Sequence, residues 1–253
     1  MVITVFMVAA IMNFGLSSHV TAGGNDFPFY PGEQLTFQLK WTIIPAGESV
    51  LEVLPIETID GVQAYHFALT VKSNSFIDNF YKVRDRIDAY SNTDMTHTIQ
   101  YKKKQREGKT HRDIVVTFDW KHNKAQYTNF TDKLPPIDLL PGSFDPLSAF
   151  YFVRLFDFQD TTTIERPVTD GKKCIIGKLD VIKRETLKLE SGTYDTYLIE
   201  PELKHIGGVF EKSKNAKIQI WVTADKRRIP VKIKSKVVVG SFTGELVSAT
   251  GLK

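Results

Sequence analysis

Charged side chains of both signs alternate along one short segment, and their types could bind a polar group or form ion pairs. The segment contains Arg84, Asp85, Arg86 and Asp88. Because side chains alternate between the two faces of a strand, Arg84, Arg86 and Asp88 share one face. Asp85 then joins the apolar Ile87 on the other face, toward the expected core. A carboxylate in a core needs a partner, since an unpaired buried charge is costly.

Arg154 is the candidate partner of Asp85, because it ends an apolar segment that we also expect to be buried. Buried charges are usually paired with charges of opposite sign, so the simplest role of such a pair is to stabilise the fold. The alternative is that Asp85 and Arg154, with Arg84 and Arg86, anchor a polar ligand.

A second cluster is strongly basic and flanks a predicted turn at Glu107-Gly108. Its members are Lys102, Lys103, Lys104, Arg106, Lys109 and Arg112, with His111 among them. This basic hairpin has the charge to bind lipid phosphates or an anionic polysaccharide. Alternatively, the hairpin binds nothing, and its cations only keep an exposed pair of strands soluble.

The motifs of common enzymes are missing from the sequence. Cys174 is the only cysteine, which excludes an intramolecular disulfide and a cysteine-based metal site. The histidines are scattered, without the His-Glu-x-x-His pattern of a zinc site, and no Gly-x-Ser-x-Gly segment is present. We therefore predict no catalytic residues, no metal and no cofactor, and we expect a protein that works without catalysis.

The elements that must position these residues show a period of two. Leu35, Phe37, Leu39 and Trp41 alternate with polar residues, a pattern typical of a strand with one buried face. The same alternation recurs over 65–71, 114–120, 216–222 and 229–239. Turn signals at 60–61, 107–108, 191–192 and 224–226 separate these segments. The spacing predicts an antiparallel meander of about a dozen strands.

One segment departs from this alternation. After a Pro-rich connector over 134–142, Asp145 can cap a helix in which Pro146 takes the first position. The residues that follow are apolar on nearly all sides, which is typical of a buried helix. We therefore predict an all-β, mainly antiparallel protein, in which a curved sheet or half-barrel surrounds one short helix. An N-terminal β half, 27–133, and a helix-plus-β half, 143–253, are expected to share one core.

The first 22 residues contain no Asp, Glu, Lys or Arg, and 2–16 form an apolar run. Val20-Thr21-Ala22 has the small residues of a signal-peptidase site. We predict a signal peptide that is cleaved after Ala22. The run is shorter than the ~20 apolar residues of a membrane-spanning helix, so no permanent transmembrane segment is expected. The predicted location is the periplasm of a bacterial envelope, or outside the cell.

Composition narrows the class of partner. The chain has 253 residues, of which 42% are hydrophobic and 25% charged, and a net charge of +4. These values are typical of a globular protein and argue against a disordered or fibrous chain. The charge is modest for a nucleic-acid-binding protein, and export makes nucleic acid a poor partner. A lipid, a glycan or another envelope protein remains as the possible partner.

Four motifs in this order resemble the bacterial exported family known as Domain of Unknown Function 3108. They are FYPGEQLTF over 29–37 with Trp41 and AGE over 46–48, FYKVRDRI over 80–87, DPLSAFY over 145–151 through Arg154, and WVTAD over 221–225 with RIPV over 228–231. The resemblance spans nearly the whole chain after the predicted signal peptide. It implies export and a β-rich fold, and it assigns no catalytic residues. The end of the chain is also similar to lipoprotein carriers, whose half-barrel holds acyl chains beneath a helical lid.

Three functions follow as hypotheses. The first is a periplasmic binding or carrier module for an apolar or amphipathic molecule. The second is a structural or assembly protein that holds another envelope protein through the sheet edge and the basic hairpin. The third is a hydrolase, which would need an acid/base pair in a cleft. An open, apolar space between sheet and helix would favour the carrier, and a filled space would favour the structural role.

Overall fold

The computed structural model describes residues 27–158, 162–202, 217–237 and 240–252. The predicted signal peptide lies outside the described residues, as do Ala216 and Val239 of the predicted strands. The elements in chain order are β1 (Gln34–Trp41), β2 (Ile44–Ile59), β3 (Val62–Ser73), α1 (Ser75–Asp78), β4 (Arg84–Asn92), β5 (Thr98–Glu107), β6 (Thr110–Asp119), β7 (Lys124–Asn129), β8 (Asp132–Lys133), β9 (Ile137–Asp138), α2 (Pro146–Val153), β10 (Thr163–Thr169), β11 (Cys174–Leu189), β12 (Gly192–Pro201), β13 (Lys217–Thr223), β14 (Pro230–Val237) and β15 (Gly240–Thr250).

The described strands form one antiparallel sheet, and nearly every strand pairs with its neighbour in the chain. The strand order is β10-β11-β12-β13-β14-β15-β1-β2-β3-β4-β5-β6-β7-β8, and β9 pairs with β7. β10 and β8 end the path, so the sheet stays open. The predicted all-β, mainly antiparallel class is confirmed. The division into 27–133 and 143–253 stays a prediction, although β1 and β15 join the two halves within this sheet.

Local chemistry explains the hairpins. The turn between β2 and β3 consists of Asp60 and Gly61, and both have a positive φ, at 49° and 82°. This is the conformation of a tight turn that continues the twist of two antiparallel strands, and Asp-Gly is one of its preferred pairs. The turn fixes the register of β2 on β3 and therefore decides which side chains face inward.

The core is built from rows of side chains that cross the strands. Leu35 of β1 lies opposite Leu51, which lies opposite Leu69, which in turn lies opposite Ile87 of β4. All four are almost fully buried. We call the face that carries this row the inner face.

The helix α2 begins where the sequence predicted it. The Asp145 carboxylate accepts hydrogen bonds from the amides of Leu147, at 2.8 Å, and Ser148, at 3.0 Å. Tyr151 is fully buried, and its ring stacks on that of Phe67 with 4.0 Å between the centroids. Aromatic side chains thus fill the space between helix and sheet at this point. No helix among the described elements is long and apolar enough to cross a membrane.

Replacing Asp145 with Ala is expected to lower the free energy of unfolding by about 2 kcal/mol, because the first turn of α2 loses its cap. The Thr98 hydroxyl, which donates to the same carboxylate at 2.7 Å, also loses its acceptor. Asp145→Asn retains an accepting oxygen and should lose clearly less. Urea unfolding of the two variants tests this, and equal losses would show that the cap does not hold the helix.

Candidate functional site

The inner face of β4 and β5 carries charged residues at the end of an otherwise apolar surface. On β4, Asp85 precedes Ile87 and Ala89 on this face, and all three are buried. Asp85 lies between the cross-strand pairs Arg86–Lys104 and Val83–Glu107, so Gln105 is its neighbour on β5. The sequence-based placement of Asp85 on the buried face is confirmed.

The structure divides the basic hairpin between the two faces of the sheet. Lys103 lies on the inner face, between Ile87 and Ile114 of the adjacent strands. Arg112 lies opposite Gln105, on the same face, and is half-buried. The remaining members of β5 face outward, and Lys109 is exposed in the turn; the outward-facing members are Lys102, Lys104 and Arg106.

Four inner-face residues form what we call the inner polar cluster: Asp85, Lys103, Gln105 and Glu107. The backbone amide of Arg106 donates to Oδ1 of Asp85 at 2.7 Å, and the Glu107 carboxyl lies close enough to raise the pKa of Asp85. Within the described residues, Oδ2 of Asp85 and Oε1 of Gln105 have no hydrogen-bond partner. Both side chains are at most 3% exposed. The cluster therefore holds two buried acceptors that lack a donor.

Burial also sets the charge of this cluster. It raises the pKa of Asp85 to about 7, against the hydrogen bond from Arg106 and with the help of the nearby Glu107 carboxyl. Burial lowers the pKa of Lys103, although the Asp85 and Glu107 carboxylates oppose this. Near neutral pH, Asp85 is thus close to half-protonated, which is an unusual state for a carboxyl group. Shifted groups of this kind gather at binding sites more often than elsewhere.

Two turns border the inner polar cluster. Tyr81 lies against the turn of β5 and β6, where a Cβ added to Gly108 would meet its ring at 2.8 Å. Burial raises the pKa of Tyr81, and the Glu107 and Asp85 carboxylates raise it further. The Asp170 carboxylate lies in the turn between β10 and β11. It is near enough to oppose the lowering of the Lys103 pKa by burial.

Arg154 has a different partner from the one predicted. Its guanidinium donates to both carboxylate oxygens of Glu33, at 2.6 and 2.8 Å, and to the carbonyl oxygens of Pro28 and Arg227, at 3.0 and 3.1 Å. The predicted pairing of Arg154 with Asp85 is therefore wrong. This pair, which is almost fully buried, ties the end of α2 to the chain before β1 and to the turn between β13 and β14.

Arg84 and Arg86 lie on the outer face, as the alternation predicted. Arg84 donates to Asp78, the last residue of α1, at 2.6 Å. Arg86 donates to Asp88 at 2.7 Å, and Asp88 in turn contacts Nε2 of the buried His66 at 2.8 Å. The structure thus places the predicted site residues in three separate places. Asp85 and Lys103 lie on the inner face, Arg154 forms a buried ion pair with Glu33, and Arg84 and Arg86 form ion pairs on the outer face.

Sequence reasoning missed Glu33 and Gln105. Glu33 has the same strand parity as Leu35 and Phe37, so the alternation already indicated the inner face. Gln105 has the same strand parity as Tyr101. It was missed because the residues on either side of it, Lys104 and Arg106, are cations that indicated an exposed segment. In the described ranges, no three His, Cys, Asp or Glu side chains lie where they could hold a metal ion.

Comparisons with known proteins agree with the fold. The family model "Protein of unknown function (DUF3108)" matches residues 36–247. No curated protein matches the sequence. A β-barrel-like protein of the domain of unknown function DUF1849, from Brucella abortus, is similar in structure, with a TM-score of 0.56 and 11% identity. The similarity covers 87% of this chain and 97% of that protein, and it shows a common fold.

Two further solved structures match less well. One is named as an exported protein with a YmcC-like fold, from Bacteroides fragilis, with a TM-score of 0.33 and 8% identity over 88% of this chain and 98% of that one. The other is named as a lipoprotein, from Parabacteroides distasonis, with a TM-score of 0.34 and 12% identity over 88% and 97%.

Proposed function

This chain belongs to the DUF3108 family, and from its inner polar cluster we propose that it is an exported, non-catalytic envelope protein that binds an amphipathic molecule. The export is inferred from the signal peptide predicted over residues 1–22. The observation that carries the binding proposal is the pair of buried acceptors without donors, Oδ2 of Asp85 and Oε1 of Gln105. A buried polar atom without a partner costs about 1–3 kcal/mol, and a bound molecule that donates hydrogen bonds would remove that cost.

The chemistry of the site suggests which molecule it takes. The orphan acceptors require donors, such as an ammonium group or hydroxyl groups. Lys103 and Arg112 lie beside them and suit a phosphate on the same headgroup. The inner face continues from the cluster into apolar side chains, with Ile87 and Ile114 on either side of Lys103. We therefore propose a lipid-like ligand whose head carries both hydrogen-bond donors and an anionic group.

Native mass spectrometry of the protein purified from the envelope tests this proposal. The wild type is expected to carry a reproducible bound amphiphile. Asp85→Asn replaces the accepting Oδ2 with a donor, so at least about tenfold less ligand should be retained, as expected for the loss of one hydrogen bond to a charged group.

Asp113→Asn is the matched control, because Asp113 is on the same hairpin and faces outward opposite Lys104. It should retain the ligand at the wild-type level. Repeated preparations of ligand-free wild type, or an Asp85→Asn variant that is folded and loaded like the wild type, would contradict the proposal.

One observation favours a second function, in structure or assembly. The space between α2 and the sheet is filled where Tyr151 stacks on Phe67, so acyl chains find no room at that point. An assembly role would use the outward cations of the basic hairpin. Crosslinkers placed at Lys102 and Lys104 should then trap a protein partner in cells, and their failure would remove this function's main support.

A further inference from the structure

Three of four neighbouring turns at one end of the sheet carry exposed apolar side chains. In an antiparallel meander every second turn lies at the same end, which places 42–43, 74–83, 108–109 and 130–131 together. Contacts between neighbouring turns confirm this. The Asn74 side chain donates to the carbonyl oxygen of Pro45 at 2.7 Å, and the Gly108 amide donates to that of Lys82 at 2.9 Å.

We call Ile43, Phe76, Phe80 and Phe130 the apolar rim. They are 84%, 57%, 77% and 54% exposed, which makes them the most exposed large hydrophobic side chains in the described part of the chain. The opposite end differs, since its turns are polar, as at Asp60-Gly61 and over 119–124. A cluster of strongly exposed apolar side chains at one end of a protein marks an interaction site.

The charge around the apolar rim is positive. The exposed lysines of this end include Lys72, Lys82, Lys104, Lys109 and Lys133. Of the nearby acids, Asp78 is held by Arg84 at 2.6 Å, and Asp85 and Glu107 are buried behind the rim. Glu48 is exposed opposite Lys72. Asp132 and Asp170, in the outer turns, are exposed. The centre of this end therefore presents aromatic and aliphatic side chains among cations.

We propose that the apolar rim docks on the surface of an anionic lipid bilayer. Its four side chains stand on three of these turns, because Phe76 and Phe80 lie together on 74–83 with 5.7 Å between their ring centroids. Alternate turns of a sheet are roughly 10 Å apart, or two strand spacings. Separate protrusions fit a fluid interface, where each ring enters between lipids, better than they fit one continuous groove on a protein. The lysines between them would meet lipid phosphates. This proposal does not rest on the inner polar cluster.

Flotation with vesicles tests the docking. The full chain is mixed with vesicles of phosphatidylcholine that contain either no or one quarter phosphatidylglycerol. We expect binding to the anionic vesicles that weakens as salt is raised. The Phe76→Ser/Phe80→Ser variant should bind at least tenfold more weakly, and Lys82→Gln/Lys109→Gln should lose most of the preference for anionic vesicles.

The matched control is Val62→Ser, which removes an exposed apolar side chain from the opposite end and carries the same N-terminal segment. It should bind like the wild type. Because the substituted side chains are exposed, all variants should keep the wild-type melting temperature. A Phe76→Ser/Phe80→Ser variant that binds like the wild type, or no preference of the wild type for anionic vesicles, would overturn the proposal.

Discussion

Replacing Glu33 with Gln is expected to lower the free energy of unfolding by about 3–5 kcal/mol, because it leaves the charge of Arg154 buried without a counter-charge. The guanidinium is only 1% exposed and donates to both oxygens of the carboxylate. An amide offers one acceptor and no charge in return. Denaturant unfolding of the wild type and Glu33→Gln at neutral pH measures the loss.

A second ion pair of the same length provides the control. Lys124 and Asp138 also approach to 2.6 Å, but their side chains are 44% and 88% exposed. Water solvates both charges there, so Asp138→Asn should cost less than about 1 kcal/mol. If Glu33→Gln and Asp138→Asn cost the same, the buried pair does not stabilise the fold in the way that its geometry indicates.

A double variant distinguishes the charge from the packing. Glu33→Leu/Arg154→Met removes both charges and keeps much of the volume, so it should cost clearly less than the sum of its two single variants. Part of the loss will remain, because the carbonyl oxygens of Pro28 and Arg227 lose their donor. Additive losses would mean that the two side chains do not stabilise each other.

The partner of Arg154 shows where sequence reasoning stops. Strand parity correctly placed Asp85 on the inner face and, had it been extended to Glu33, would have placed that residue there as well. Parity does not say which strand ends meet in space. The pair joins positions 33 and 154 across a sheet whose order puts β15 beside β1, and that order depends on long-range pairing rather than on local pattern.

Local signals predicted the elements well, since their causes are local. The cap at Asp145 and the turn at Asp60-Gly61 depend on the chemistry of a few neighbouring residues. The inner polar cluster needed the structure, because cations dominate the sequence of its hairpin. Only the register of β5 against β4 and β6 shows that Lys103 and Arg112 turn inward while Lys102 and Lys104 turn outward.

Asp85 should make the stability of this protein fall as the pH rises from 4 to 7. Its pKa is raised from the usual 3.8 to about 7 in the folded chain, first because it is buried. Between these values the folded state holds a proton that the unfolded state has released, so the free energy of unfolding decreases with pH. A shift of this size corresponds to about 2–4 kcal/mol over the whole window. Thermal or urea unfolding at successive pH values measures it.

Asp85→Asn isolates this contribution, because an amide does not titrate in that range. Other carboxyl groups, such as Asp88 and Glu245, have lowered pKa values and act in the opposite direction near and below pH 4. These groups are present in both the wild type and Asp85→Asn, so their contributions cancel when the two free energies of unfolding are subtracted. Asp85→Asn should therefore gain stability relative to the wild type between pH 4 and 7, whereas Asp113→Asn should follow the wild type. Parallel curves for Asp85→Asn and the wild type would mean that Asp85 titrates normally, which would remove the electrostatic support for the inner polar cluster as a binding site.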